Sequence, residues 1–158
     1  MEKQKVYIET SVISYLTAKP SRDLVTAGHQ KTTYDWWHKS KHKFDCYISD
    51  FVTQEVMQGD KEAAALRLDV IENLDILVVN NEISELADIY FQLLSIPYKS
   101  KIDAYHLAFT VWYNIDFLIT WNCKHIANAI NIQKINSYNA VNKIWIPVFC
   151  TPQELMEV

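Results

Sequence analysis

Glycine and proline are scarce in this chain of 158 residues, which contains two glycines and four prolines. Such low numbers exclude a collagen-like repeat, a flexible linker and a disordered tract. The two glycines, Gly28 and Gly59, are also too few to build the clustered glycines of a P-loop or a dinucleotide-binding fingerprint. We therefore expect a single folded domain over residues 1–158, without a nucleotide site of either kind.

Cysteine pairs and long apolar runs are also missing. Cys46, Cys123 and Cys150 are far apart and lack the C-x-x-C spacing of a zinc site or a dithiol switch, so we expect reduced, mostly buried thiols. No stretch approaches the roughly 20 apolar residues of a membrane span, and no apolar segment of a secretion signal follows residues 1–5. These absences predict a cytoplasmic protein that has no membrane partner.

An excess of positive charge is absent too, since 15 Lys and Arg face 19 Asp and Glu, giving a net charge of −4. The chain as a whole therefore lacks the positive field of a dedicated DNA-binding module, and contact with nucleic acid requires a local patch. Trp36 and Trp37, followed by the basic run at 38–43, could stack on and attract single-stranded RNA. A solvated helix end or a dimer contact explains the same run equally well.

Apolar runs of strand length alternate with helical patterns along the chain. Strands are predicted at 5–8, 44–48, 75–79, 116–120 and 144–149, and the run at 75–79 is typical of a buried parallel strand. The clearest amphipathic helix begins at Asn81, and others are predicted within 23–43 and at 50–56, 61–73, 102–113, 126–130 and after Thr151. This alternation predicts a three-layer α/β/α sandwich around a largely parallel sheet.

Polar residues at the carboxyl ends of parallel strands are the first candidates for a site. Glu9 ends the first strand, Glu55 follows the second, Asp103 opens the helix before the fourth, and Asn122 follows the fourth. Carboxylates that share a cleft repel each other by about 4 kcal/mol per pair at about 4 Å and an effective dielectric of about 20, so a cation must neutralise them. Oxygen ligands favour Mg²⁺ or Mn²⁺ over zinc, and such an ion can activate water against a phosphodiester.

Four segments together resemble the PIN-domain nucleases, specifically the VapC-like toxins of bacterial toxin–antitoxin pairs. They are VYIETS at 6–11, ISDFVTQEV at 48–56, KIDAYHLA at 101–108 and FLITWN at 117–122, and they span nearly the whole chain. The resemblance implies a PIN-like fold and a ribonuclease in which Glu9, Glu55, Asp103 and position 122 bind Mg²⁺ or Mn²⁺. It also implies products with 5′-phosphate and 3′-hydroxyl ends, a small antitoxin that occupies the cleft, and a homodimer.

The chain departs from the family pattern at two of these positions. The family usually has Asp where this chain has Glu9, which adds one methylene, and often has a fourth acid where this chain has Asn122. An alternative is therefore a PIN-like domain that has lost its chemistry and binds protein or RNA. A receiver-like phosphoacceptor domain is a third interpretation. Such a domain needs an acceptor Asp directly after a central strand, but the run at 75–79 is followed by Asn80 and Asn81.

Residues close to the four proposed metal ligands are candidates for contact with substrate. Thr10 and Ser11 could orient metal-bound water, although helix capping also explains both. Lys101 and Lys124 flank the proposed cleft and are candidates for positioning phosphate groups. His106 could contact substrate, although a partly buried helix histidine bonded to a neighbour is the simpler interpretation. Asp103 and Asn122 have simpler interpretations as a helix-dipole acid and a turn residue.

Overall fold

The computed structural model describes residues 2–156 and contains a five-stranded sheet whose neighbouring strands are all parallel. Its strands are β1 (Lys5–Ile8), β2 (Asp45–Ser49), β3 (Asp75–Leu77), β4 (Phe117–Ile119) and β5 (Val148–Cys150). Parallel neighbours require crossover connections, and these are supplied by helices α1 (Thr10–Thr17), α2 (Leu24–Lys39), α3 (Asp50–Val56), α4 (Lys61–Ile71), α5 (Asn81–Leu94), α6 (Lys101–Trp112) and α7 (Ala129–Val141). The predicted α/β/α sandwich is confirmed.

The order β3-β2-β1-β4-β5 places β1 at the centre of the sheet. Val6, Tyr7 and Ile8 are completely buried because strands flank β1 on both edges and helices cover it. The chain order reverses between β1 and β4, and ligands in open parallel sheets bind beyond the strand ends at such a point. Glu9 and Thr120, which follow these two strands, are therefore candidates for a ligand site.

Residues 75–77 of the predicted run at 75–79 form a strand, but the prediction that the run is buried is wrong. Among the residues that the structure describes, β3 lies at the edge of the sheet and pairs with β2 alone. The side chains of Ile76 and Val78 are 52% and 59% exposed. An apolar run of this length fits a strand at either position, because the composition alone does not tell whether a second neighbour covers it.

The last third of the chain differs most from the prediction. The helix expected at 126–130 instead begins at Ala129 and continues to Val141, after Asn128 caps it by accepting bonds from the amides of Ile130 and Asn131. β5 begins only after Pro147, a residue that lacks the N–H needed within a ladder.

The helix predicted after Thr151 is replaced by a turn at 152–155. The side chain of Glu154 accepts a bond from the backbone amide of Thr151, as in a capping box. The hydroxyl of Thr151, however, donates to the same Glu154 oxygen instead of accepting from the amide of Glu154, and no helix follows within the described residues. Positions 157 and 158, where this prediction also falls, lie outside them.

The burial of the tryptophan pair and of the cysteines differs in part from the predictions. Trp36 is completely buried in the core and is therefore unavailable to stack on RNA, while Lys41 lies over the ring of Trp37 at 4.9 Å. All three cysteines are free thiols, as predicted, but only Cys150 is buried, Cys46 is half-buried and Cys123 is exposed. Within residues 2–156, no helix has the length and apolar character needed to cross a membrane.

Side chains cap the start of several helices, and the cap of α5 can be tested by mutation. The Asn80 carboxamide oxygen accepts a bond of 2.8 Å from the amide of Ile83 at the start of α5. Replacing Asn80 with alanine should lower the free energy of unfolding by about 1 kcal/mol, because that amide loses its partner. Urea denaturation measures the change, and an unaltered midpoint would contradict a stabilising cap.

Candidate functional site

Glu9 lies directly beyond β1, at the point where the strand order reverses. Its carboxylate caps α1, since Oε2 accepts a bond of 3.1 Å from the amide of Ser11. Its other oxygen, Oε1, accepts bonds of 2.5 Å from the hydroxyls of Ser11 and Thr120. The cap is thus the carboxylate and not the hydroxyls that the sequence suggested. Donors from two strand ends therefore hold a carboxylate that is only 5% exposed.

Glu55 approaches this carboxylate from α3. Its Oε1 accepts a bond of 2.6 Å from the hydroxyl of Thr10 and one of 2.7 Å from Nε2 of His106. Residues 2–156 provide no hydrogen-bond donor to Oε2 of Glu55. One oxygen of this carboxylate is thus committed to the protein, and the other is available to a ligand.

His106 approaches the two carboxylates from α6 and bonds to that of Glu55. It is completely buried, and its Nδ1 lies 2.6 Å from the hydroxyl of Tyr7. Glu9, Glu55 and His106 each offer a potential ligand atom, and these atoms all lie within 4.8 Å of one another. Three elements that are distant in sequence therefore meet at one place beyond the sheet.

The electrostatics of this cluster follow from burial and from the neighbouring charges. Burial raises the pKa of Glu9, and the charge of His106 and the bonds from Ser11 and Thr120 offset this only in part. Burial also opposes ionisation of Glu55 and His106. Their mutual hydrogen bond and attraction outweigh it, so the pKa of Glu55 is lowered and that of His106 is raised. Two carboxyl groups thus share this site with a single imidazole, so a bound cation would favour the ionised form of both.

Asp103 lies outside this group of three. It is in the first turn of α6, and its Oδ2 is 2.7 Å from Nδ1 of His125. Both side chains are largely buried. The charge of Asp103 contributes to the raised pKa of His106, so it acts on the cluster electrostatically. Its role as a metal ligand stays a prediction. Sequence spacing gave no signal for its pairing with His125.

Asn122 organises the turn that carries His125. Its Oδ1 accepts a bond of 3.0 Å from the amide of His125, and its backbone carbonyl accepts bonds from Ile126 and Ala127. Its own amide donates to the hydroxyl of Thr120, which also bonds to Glu9. Asn122 is thus a turn residue in this structure, and its role as a metal ligand stays a prediction.

The predicted substrate residues contact the protein in different ways. Thr10 and Ser11 bond to the carboxylates of Glu55 and Glu9, respectively. Lys101 forms an ion pair of 2.7 Å with Asp88 and lies over the ring of Phe91. Lys124 is exposed, whereas both ring nitrogens of the buried His106 contact protein atoms. Contact of these residues with substrate stays a prediction.

Sequence reasoning missed two residues of the site. Thr120 had a usable signal, since it directly follows a strand at the same edge as Glu9. Tyr7 had none, because a tyrosine within an apolar strand is typical of a core position.

Two solved structures share this arrangement of elements. VapC20 from Mycobacterium tuberculosis, described as a sarcin-ricin loop cleaving toxin, is 16% identical with a TM-score of 0.51 over 75% of this chain and 91% of that chain. VapBC2 from Rickettsia felis, bound to a DNA fragment from its promoter, is 15% identical with a TM-score of 0.56 over 92% and 97%. Comparisons with protein families and with curated proteins find no match. The chain therefore has the PIN-like fold of the VapC proteins, as its sequence motifs predicted.

Proposed function

We propose that the protein is a Mg²⁺- or Mn²⁺-dependent ribonuclease of the VapC type, the toxin of a toxin–antitoxin pair. One observation carries the proposal: Glu9 and Glu55, from separate elements, share a partly buried site beyond the sheet, with ligand atoms within 4.8 Å of each other. The fold likeness to VapC20, a toxin that cleaves the sarcin-ricin loop, supports RNA as the substrate.

The potential ligand atoms at this site fit a hard divalent cation. Glu55 keeps Oε2 available, and two carboxylates face a single imidazole. Carboxylate oxygens are the ligands that Mg²⁺ and Mn²⁺ prefer. In this proposal Asp103 adds Oδ1, since its Oδ2 is bonded to His125, and Asn122 adds its side-chain oxygen. When bound, the ion would lower the pKa of water and neutralise the charge of the phosphate.

Residues around the carboxylates would orient the site and the polymer. The hydroxyls of Thr10 and Ser11 fix Glu55 and Glu9, so both carboxylates are held in place before substrate binds. The exposed Lys124, two residues after Asn122, is proposed to contact phosphate groups. Lys101 would have to release Asp88 to do the same.

The proposal extends to organisation and partners. The coverage of 92% of this chain and 97% of the VapBC2 chain supports a single PIN-like domain over residues 1–158. The same likeness supports a small antitoxin as the partner. We also propose a homodimer that acts in the cytoplasm, where its RNA substrate is found.

Metal removal tests the proposal directly. We expect the purified protein to cleave RNA, to stop in EDTA and to recover with Mn²⁺, and we expect products with 5′-phosphate and 3′-hydroxyl ends. End-labelled RNA on denaturing gels measures both. A Glu55→Gln preparation purified in parallel controls for contaminating nucleases. Cleavage that persists in EDTA would contradict the mechanism.

A binding module without activity is the second candidate. It is favoured by the saturation of Glu9, which accepts three hydrogen bonds, and by the pairing of Asp103 with His125. Calorimetry separates the two functions. Mn²⁺ binding that is millimolar or weaker, with no cleavage across varied RNAs, would favour the binding module.

A further inference from the structure

We propose that Tyr7 is a positioning residue that orients the carboxylate of Glu55 for the metal ion, acting through His106. The inference deepens the proposed function and rests on it. Tyr7 lies in the middle of β1 and touches neither carboxylate through a hydrogen bond, so its influence must pass along a chain of contacts.

That chain is continuous and buried at every step but the last. The hydroxyl of Ser49 lies 2.7 Å from the hydroxyl of Tyr7, which lies 2.6 Å from Nδ1 of His106. Nε2 of His106 then lies 2.7 Å from Oε1 of Glu55. Ser49, Tyr7 and His106 are all completely buried, so water does not compete for these bonds.

The carboxylate at the end of this chain determines which nitrogen of His106 donates to it. An ionised carboxylate only accepts, so Nε2 of His106 must carry a hydrogen and donate it to Glu55. Nδ1 is then the ring nitrogen that bonds to the hydroxyl of Tyr7, which bonds in turn to the hydroxyl of Ser49. The hydroxyl of Ser49 also accepts a bond of 3.3 Å from the amide of Val52, which anchors the chain in α3. Tyr7 thereby fixes the orientation in which the ring presents Nε2–H to Glu55.

Glu55 needs such an anchor more than Glu9 does. Three bonds from donors near the ends of two strands hold Glu9, whereas the side chain of Glu55 is 24% exposed and extends from a short helix. Thr10 and His106 both bond to Oε1, and together they leave Oε2 for a ligand. Without His106 in place, Glu55 would keep a single anchor and could turn toward solvent.

Tyr7→Phe tests the inference because it removes one hydroxyl and keeps the ring in the core. We expect its dissociation constant for Mn²⁺, measured by electron paramagnetic resonance on the metal-free protein, to rise about tenfold. RNA cleavage should fall at limiting Mn²⁺ and recover toward the wild-type kcat at saturating Mn²⁺, since the change acts on metal affinity.

Tyr90→Phe is the matched control. Its hydroxyl is also completely buried and donates to Asn139 at 2.5 Å, in the contact between α5 and α7. This variant should lower the unfolding midpoint as Tyr7→Phe does and leave Mn²⁺ affinity unchanged. His106→Gln, which keeps an N–H able to reach Glu55, should retain more affinity than His106→Leu.

The outcomes separate the inference from the proposed function. If the wild type binds no Mn²⁺, the proposed function fails and the inference fails with it. If the wild type binds Mn²⁺ and Tyr7→Phe binds it equally well, only the inference fails. An equal loss of affinity in Tyr7→Phe and Tyr90→Phe would also overturn it, because the loss would then reflect stability alone.

Discussion

Replacing Glu55 with glutamine should lower RNA cleavage by about a thousandfold or more, a loss of about 4 kcal/mol of transition-state stabilisation. The amide keeps the shape of the carboxylate and still accepts bonds from Thr10 and His106, so the fold should be retained. It removes one of the two negative charges that face the metal position, and a neutral amide oxygen is a weaker ligand for a hard cation. Single-turnover cleavage of labelled RNA at saturating Mn²⁺ measures the effect.

Glu85→Gln is the matched control for this variant, because it removes the same charge from an exposed position on α5. It should cleave RNA at the wild-type rate. Asp103→Asn provides a second comparison, since Asp103 is paired with His125 and lies outside the group of three. Near-normal cleavage by Glu55→Gln together with loss in Asp103→Asn would place the chemistry at the Asp103–His125 pair instead.

The meeting of Glu9 and Glu55 could be expected from the sequence because both follow predicted strands. Parallel strands deliver their carboxyl ends to one edge, so residues directly after them converge whatever the details of packing. The position of His106 could not be expected in this way. α6 is buried on nearly all sides, so its apolar pattern does not define a face, and the spacing of His106 gives no direction for its ring.

The fold could be predicted where the local pattern of apolar residues corresponds to the face that is buried. α5 has a regular apolar stripe, and Ile83, Ala87, Tyr90 and Leu94 on that stripe are buried as expected. α7 has no such stripe, because polar residues interrupt it, and its start depends on the Asn128 cap. The exposure of β3 depends on its place at the sheet edge, which is a property of the whole topology and not of residues 75–79.

Metal-free Glu9→Gln should be more stable than the wild type at neutral pH, although it removes a residue of the proposed site. The pKa of Glu9 is raised in the folded protein, chiefly by burial. A raised pKa means that the protonated form is favoured by folding, so the stabilisation is present below the unfolded pKa of about 4.3 and is lost as pH rises through the folded pKa. The ionised carboxylate therefore costs stability at neutral pH. Glutamine removes that cost, and the hydroxyls of Ser11 and Thr120 can turn to accept from its amide.

Thermal unfolding with and without Mn²⁺ should then distinguish the two proteins. At a Mn²⁺ concentration about 100 times the dissociation constant, binding should stabilise the wild type by about 2.7 kcal/mol, which corresponds to about 5–10 °C in Tm for a domain of this size. Glu9→Gln should start from a higher Tm in EDTA and gain little from Mn²⁺, and near pH 3 the two metal-free proteins should converge because Glu9 is then protonated. Glu85→Gln should respond to Mn²⁺ as the wild type does. Equal gains in the wild type and in Glu9→Gln would show that the ion binds elsewhere, since a ligand stabilises a protein only through the groups that hold it in the folded state.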